Sequence, residues 1–177
     1  MISTTRLKQP VDLLLLFKTF VDILALRKGP QHVPPSGVVL LIAIAMLLFS
    51  SYAAATLVGV REGHSYALAF LAYLLGIAFY AAIIFVSGHA ARMMSAISSI
   101  IACGALITLS FVAAFVLLGP LLGPNVAGLI ATLIIFWSVP VEGHIMAVTI
   151  NQHWFVGIGI AMIAFVLQYG LQTAIGA

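Results

Sequence analysis

The stretch GPLLGPN, residues 119–125, lies inside 49 consecutive residues, 93–141, without one charged side chain. As a single helix that run would be about 73 Å long at 1.5 Å per residue, more than twice a hydrocarbon core of about 30 Å. The chain therefore has to turn back. Gly119-Pro120 and Gly123-Pro124-Asn125 are the turn signals, because glycine supplies backbone freedom and proline cannot continue helical hydrogen bonding. Two apolar arms, 93–118 and 121–139, follow from that reading.

Outward from this hairpin lie three further apolar stretches, 37–60, 65–88 and 154–175, which brings the expected number of spans to five. Composition agrees: 64% of the 177 residues are hydrophobic and only 6% charged, against about 25% charged in an ordinary soluble domain. The sequence thus reads as an all-α polytopic membrane protein, with a domain over 36–177 and a separate cytoplasmic segment over 1–35. One cysteine, Cys103, excludes an intrachain disulfide framework or a cysteine-based metal site. The net charge of +3 does not point to nucleic acid, since the basic residues form no dense patch.

Five of the seven Lys and Arg, namely Arg6, Lys8, Lys18, Arg27 and Lys28, precede the first span. The 119–125 turn and the carboxy-terminal end carry no charge, whereas Arg92 follows the second span. The positive-inside bias puts the amino terminus and Arg92 in the cytoplasm and the carboxy terminus outside. Residues 140–153 are then a cytoplasmic connector. Within 11–28, Leu13, Leu16, Phe17, Phe20, Val21, Ile23 and Leu24 share one broad helical face, opposite Asp12, Lys18, Thr19 and Asp22. This predicts an amphipathic helix lying on the bilayer, although the same pattern would serve a helix packed on protein. No cleavable signal peptide is expected, because Asp12 and Lys18 interrupt the apolar run.

Few residues are equipped for chemistry. His89, Arg92, Glu142, His144 and His153 all fall at or between cytoplasmic span ends, which predicts an inner polar cluster with Glu142 paired to Arg92 or to a histidine. Residues 142 and 144 are about 200° apart on a helix, as are 144 and 153 at about 180°, so a continuous helix would not aim them at one ion. No HExxH, cysteine pair or CxxCH is present. Neither a metal, a cofactor nor a catalytic residue is assigned. The tripeptide Glu-Gly-His occurs at 62–64 and again at 142–144, but on opposite sides of the bilayer in this topology. No Asp, Glu, Lys or Arg falls inside an expected span, which speaks against a transport pathway. Small residues recur at four-residue spacing, Ala91, Ser95, Ser99 and Cys103 on the third span and Gly157 and Ala161 on the fifth, and mark close helix packing, either internal or between copies.

The approach VPPSG (33–37), the five closely spaced spans and the stretch FWSVPVEGHIMAVTINQHWFVGIGIAMIAFVLQYGL (136–171) resemble a small bacterial member of the Yip1 family, over roughly residues 10–175. Eukaryotic members of that family are linked to membrane trafficking and bind prenylated small GTPases and one another; their DLYGP-type motif is absent here. The resemblance implies a non-catalytic membrane-organising or partner-binding protein of the bacterial inner membrane, whose partners are the lipid bilayer and a membrane protein or further copies of itself. The alternatives are a small transporter or channel subunit and, second, a histidine-ligated metal or haem protein.

Overall fold

The computed structural model describes residues 12–58 and 66–176. Arg6, Lys8 and the Glu62–His64 tripeptide lie outside the described residues. Seven α-helices are arranged as α1 (Leu13–Leu24), α2 (Gly37–Leu57), α3 (Tyr66–Val86), α4 (Met93–Leu122), α5 (Pro124–Phe136), α6 (Ser138–Thr149) and α7 (Trp154–Gly176), with no strand among the described residues. Five stretches are long and apolar enough to cross a membrane: Gly37–Leu57, Leu68–Val86, Ala90–Leu122, Pro124–Thr149 and Trp154–Leu171.

The second hairpin turn is tighter than expected, and the two arms are longer. Helix α4 continues through Pro120 to Leu122, and the reversal falls at Gly123, whose φ of 80° is a conformation that glycine adopts without a Cβ penalty. Pro124 then opens α5 at its first position, where a missing N–H costs nothing. At the other end of this arm, the expected connector over 140–153 is mostly helix. Pro140 lacks the N–H that would bond to the Phe136 carbonyl, which divides α5 from α6 at Trp137 without ending the span. Trp137 itself keeps helical angles of −63° and −18°. Helix α6 stops only at Asn151, in the left-handed region at φ 59°, with the Gln152 N–H closing back on the Ala147 carbonyl at 2.9 Å.

Helix α4 is the centre of the bundle. It packs against α1, α2, α3, α5 and α6, and its Ala96, Ile100, Ala102, Cys103 and Ala105 are buried. Helices α2, α3, α5 and α7 leave large apolar side chains exposed, Leu41, Phe49, Phe85, Leu133 and Phe155 among them, as a lipid-facing bundle does.

Helix α1 belongs to this bundle, so residues 12–35 are not a segment apart from it. Asp12 caps it by accepting from the Leu14 and Leu15 N–H groups. Its buried stripe is Leu16, Thr19, Phe20 and Ile23, packed on α4 and α6. The broad apolar face expected from sequence is divided: Leu13, Phe17 and Val21, 63%, 51% and 41% exposed, point away from the core. Four side chains of the bundle hold the backbone of α1 and of the segment that follows it. The Cys103 thiol reaches the Phe20 carbonyl at 3.8 Å, the Trp137 indole N–H the Leu24 carbonyl at 3.1 Å, and Ser95 the Val33 carbonyl at 2.8 Å. His144 Nε2 lies 3.1 Å from the Lys28 carbonyl. Lys28 also pairs with Asp22 at 2.8 Å, and this contact holds the Asp22 carboxyl below the usual carboxylate range.

Candidate functional site

Glu142 lies in the second turn of α6, inside the membrane-spanning stretch Pro124–Thr149. Seven residues separate it from Thr149, which places it about 10 Å inside the end of the span. The sequence reading had put it in a connector and had found no ionisable residue within a span. Pro140 falls in the first turn of α6, where a proline leaves the rest of the helix intact.

Glycines set where Glu142 sits. A Cβ on Gly157 would stand 2.0 Å from the Gly143 carbonyl oxygen, and one on Gly143 would stand 2.9 Å from the Ile158 Cα. Only two glycines let α6 and α7 approach so closely, with Ala147 and Ala161 buried along the same seam. With Gly143 turned to α7, its neighbour Glu142 is aimed at α3, where the Tyr80 hydroxyl donates to Glu142 Oε2. Tyr80 is 1% exposed, so this bond is made inside the bundle.

Beyond the carboxyl opens a cavity of about 610 Å³, within the range of small-molecule sites. Its walls come from α2, α3, α4, α5, α6 and α7. Glu142 marks one end, and Ala54, Ala69 and Phe70, more than a turn farther along their helices, mark the other. Tyr73, Phe111 and Phe165 supply aromatic surface; Ser51, Thr108, Ser138 and Gln168 supply polar groups. Thr108 donates its proton to the Gly104 carbonyl at 3.0 Å, which leaves its oxygen as an acceptor. Gln168 rests on Gly76, where a Cβ would meet its Nε2 at 1.8 Å. The Tyr73 hydroxyl is buried without a hydrogen-bond partner. Among the described residues the one ion pair is Lys28 with Asp22, so Glu142 has no cation against it.

The polar cluster expected from sequence does not assemble. Arg92 donates to the Thr149 carbonyl at 3.1 Å, not to Glu142. His144 faces the Lys28 carbonyl, on the side of α6 away from Tyr80. His89 lies 2.7 Å from its neighbour Ser87's carbonyl, and His153 stacks on Phe155 at 5.4 Å. The 200° separation of 142 and 144 explains the divergence once both are on one helix. No three His, Cys, Asp or Glu side chains among the described residues come close enough to share an ion. Of the small-residue stripe, Ser95, Ser99 and Cys103 are buried, while Ala91 is exposed in the turn that precedes α4. Ser95 and Cys103 bond to the amino-terminal segment rather than to another span.

Tyr80, Tyr73 and Gln168 escaped the sequence reading as site residues. Tyr80 and Glu142 are 62 positions apart and share no local pattern. Compared with known proteins, the chain matches no family model, no curated protein and no solved structure.

Proposed function

We propose that this protein is a non-catalytic small-molecule carrier, binding a bilayer-soluble ligand in the Glu142 cavity. One observation carries the reading: an acidic side chain inside a membrane span opens on a cavity and has no cationic partner among the described residues. Ionisable groups are costly in a bilayer, and where they occur they mark ligand or ion pathways. The cavity, open to the outside at its Leu48 and Phe70 wall, supports this reading over a purely organising role, because a scaffold needs no ligand-sized space beside a carboxyl. Charge bias supports an orientation with the Arg92 end of the bundle cytoplasmic and the carboxy terminus outside; the bacterial inner membrane follows only from the resemblance.

A partner-binding or membrane-organising role has its own support in α1, whose Leu13, Leu14 and Phe17 are exposed beside the bundle and would enter a lipid surface. The carrier reading is tested with the full chain in nanodiscs, by equilibrium dialysis of the neutral lipophilic dye N-phenyl-1-naphthylamine against empty nanodiscs. Saturable binding is expected, reduced at least about tenfold by Ala54→Trp, which fills the end of the cavity away from Glu142. Binding no greater than that of empty discs, or unchanged by the plug, would count against a ligand cavity.

A further inference from the structure

We infer that the ligand of this cavity is a lipophilic organic cation and that it exchanges with a proton at Glu142, an inference that rests on the carrier reading. The Glu142 carboxyl has two oxygens, and the Tyr80 hydroxyl occupies Oε2. The other oxygen makes no hydrogen bond to a described residue and is not among the buried unpartnered atoms, so it is open to the cavity that Glu142 lines. Ionised, this carboxyl carries a negative charge. Such a charge inside a span needs neutralising, and two species can do so: a proton on the carboxyl, or a cation in the cavity.

The rest of the cavity favours the cation. Phe70, Phe111 and Phe165, with the ring of Tyr73, present aromatic faces, which attract cations and pack against flat apolar groups. Among the described residues no Lys, Arg or His lines the space, so no described side chain there recognises an anion. Thr108 has its proton committed and offers only lone pairs. A small inorganic cation would leave most of about 610 Å³ empty, whereas a cation with apolar substituents fills it and brings little hydration to remove.

Exchange follows from charge balance. When the cation enters, the carboxyl proton leaves to water, and the site is neutral before and after. The titratable groups that face Glu142 are Tyr73 and Tyr80 from α3 and Cys103 from α4. Helices α2 and α7 bring Ser51 and Gln168, neither of which titrates. Asp22 and Lys28 pair with each other near the Lys28 carbonyl that meets His144, on the opposite side of α6. None of these supplies a competing positive charge.

The test uses the full chain in nanodiscs with tetraphenylphosphonium as the cation, tetraphenylborate as its anionic counterpart and the neutral dye as a control. Tetraphenylphosphonium is expected to bind saturably and to weaken as pH falls, approaching tenfold per unit where the carboxyl is protonated. It should displace the neutral dye and release up to one proton per cation, read with an indicator in weak buffer. Glu142→Gln should remove the proton release and the pH dependence, with its fold checked independently by circular dichroism and a thermal melt beside the wild type. Glu142→Asp should retain both signals in weakened form. Dye binding with no preference for the cation, or cation binding unchanged in Glu142→Gln, would overturn the exchange and leave the carrier reading standing. Binding of neither probe would overturn both.

Discussion

Glu142 and His144 stand two residues apart on α6 and serve opposite sides of it. The carboxyl takes the Tyr80 hydroxyl across the bundle interior, while the imidazole meets the Lys28 carbonyl of the amino-terminal segment. One helix therefore holds a cavity wall on one face and a hydrogen bond to the Lys28 carbonyl on the other. The two faces should respond separately to substitution.

On the Lys28 side, Trp137 and His144 satisfy the carbonyls of Leu24 and Lys28 from positions two turns apart. Replacing Trp137 by Phe or His144 by Ala removes one hydrogen bond, about 1 kcal/mol each. The expected result is faster amide exchange over residues 13–33, measured by hydrogen–deuterium exchange, with dye binding in the cavity retained. Loss of cavity binding in His144→Ala would show that the two faces are coupled.

On the cavity side, Tyr80→Phe leaves a carboxyl in the bundle without its donor. A hydrogen bond between neutral groups is worth about 0.5–1.5 kcal/mol, and the loss should appear in denaturant melts in detergent. A double-mutant cycle with Glu142→Gln should give a coupling of about 1 kcal/mol or more. Additive effects would mean that the two side chains do not interact in the folded protein.

The Asp22–Lys28 pair makes a prediction with a definite pH sign. Lys28 lowers the folded-state pKa of Asp22 below its ordinary 3.8, so its contribution is present above that value and fades as pH falls through the lower folded one. Wild type should therefore melt above Lys28→Met near neutral pH, with the gap closing in strong acid. A gap that widens on acidification would reverse the assignment.

The five spans were legible because each is a long apolar run, a signal that needs no knowledge of packing. What misled was proline. Pro120 is a turn signal and the fourth apolar arm is expected to end at 139, just before Pro140, yet α4 runs on to Leu122 and the fourth span to Thr149. Moving that boundary by ten residues takes Glu142 out of a connector and into a stretch long and apolar enough to span a membrane. A signal for the longer span was present: Gly143 and Ala147 at four-residue spacing match Gly157 and Ala161, a pairing expected of two packed helices rather than of a loop. The Tyr80 partnership had no such signal, since it depends on how α3 and α6 rotate within the bundle.

That seam can be tested at two glycines of α7. Gly157 has no room for a methyl group, because its Cβ would meet the Gly143 carbonyl, whereas nothing lies within 4 Å of a Cβ on Gly159. Gly157→Ala should cost about 1–3 kcal/mol as α6 and α7 are forced apart. Gly159→Ala should be neutral or stabilise by up to about 1 kcal/mol through helix propensity. Equal effects at the two positions would show that the helices do not meet at this seam.

Pro140 decides whether Glu142 keeps its place. Its ring removes the N–H that would join the Phe136 carbonyl, and the bond that follows, from Val141 N–H to the Trp137 carbonyl, is long at 3.4 Å. Pro140→Ala restores the missing donor, so α5 and α6 should become one straighter helix with greater local protection from exchange. Straightening swings Ser138 and Glu142 relative to α3, at the cost of the Tyr80 contact. The variant should thus be more protected around 136–141 yet bind the cavity dye more weakly, with the Tyr80–Glu142 coupling reduced in the double-mutant cycle. If protection rises while coupling and binding are unchanged, the kink does not position the carboxyl, and the Gly143–Gly157 contact must do so alone.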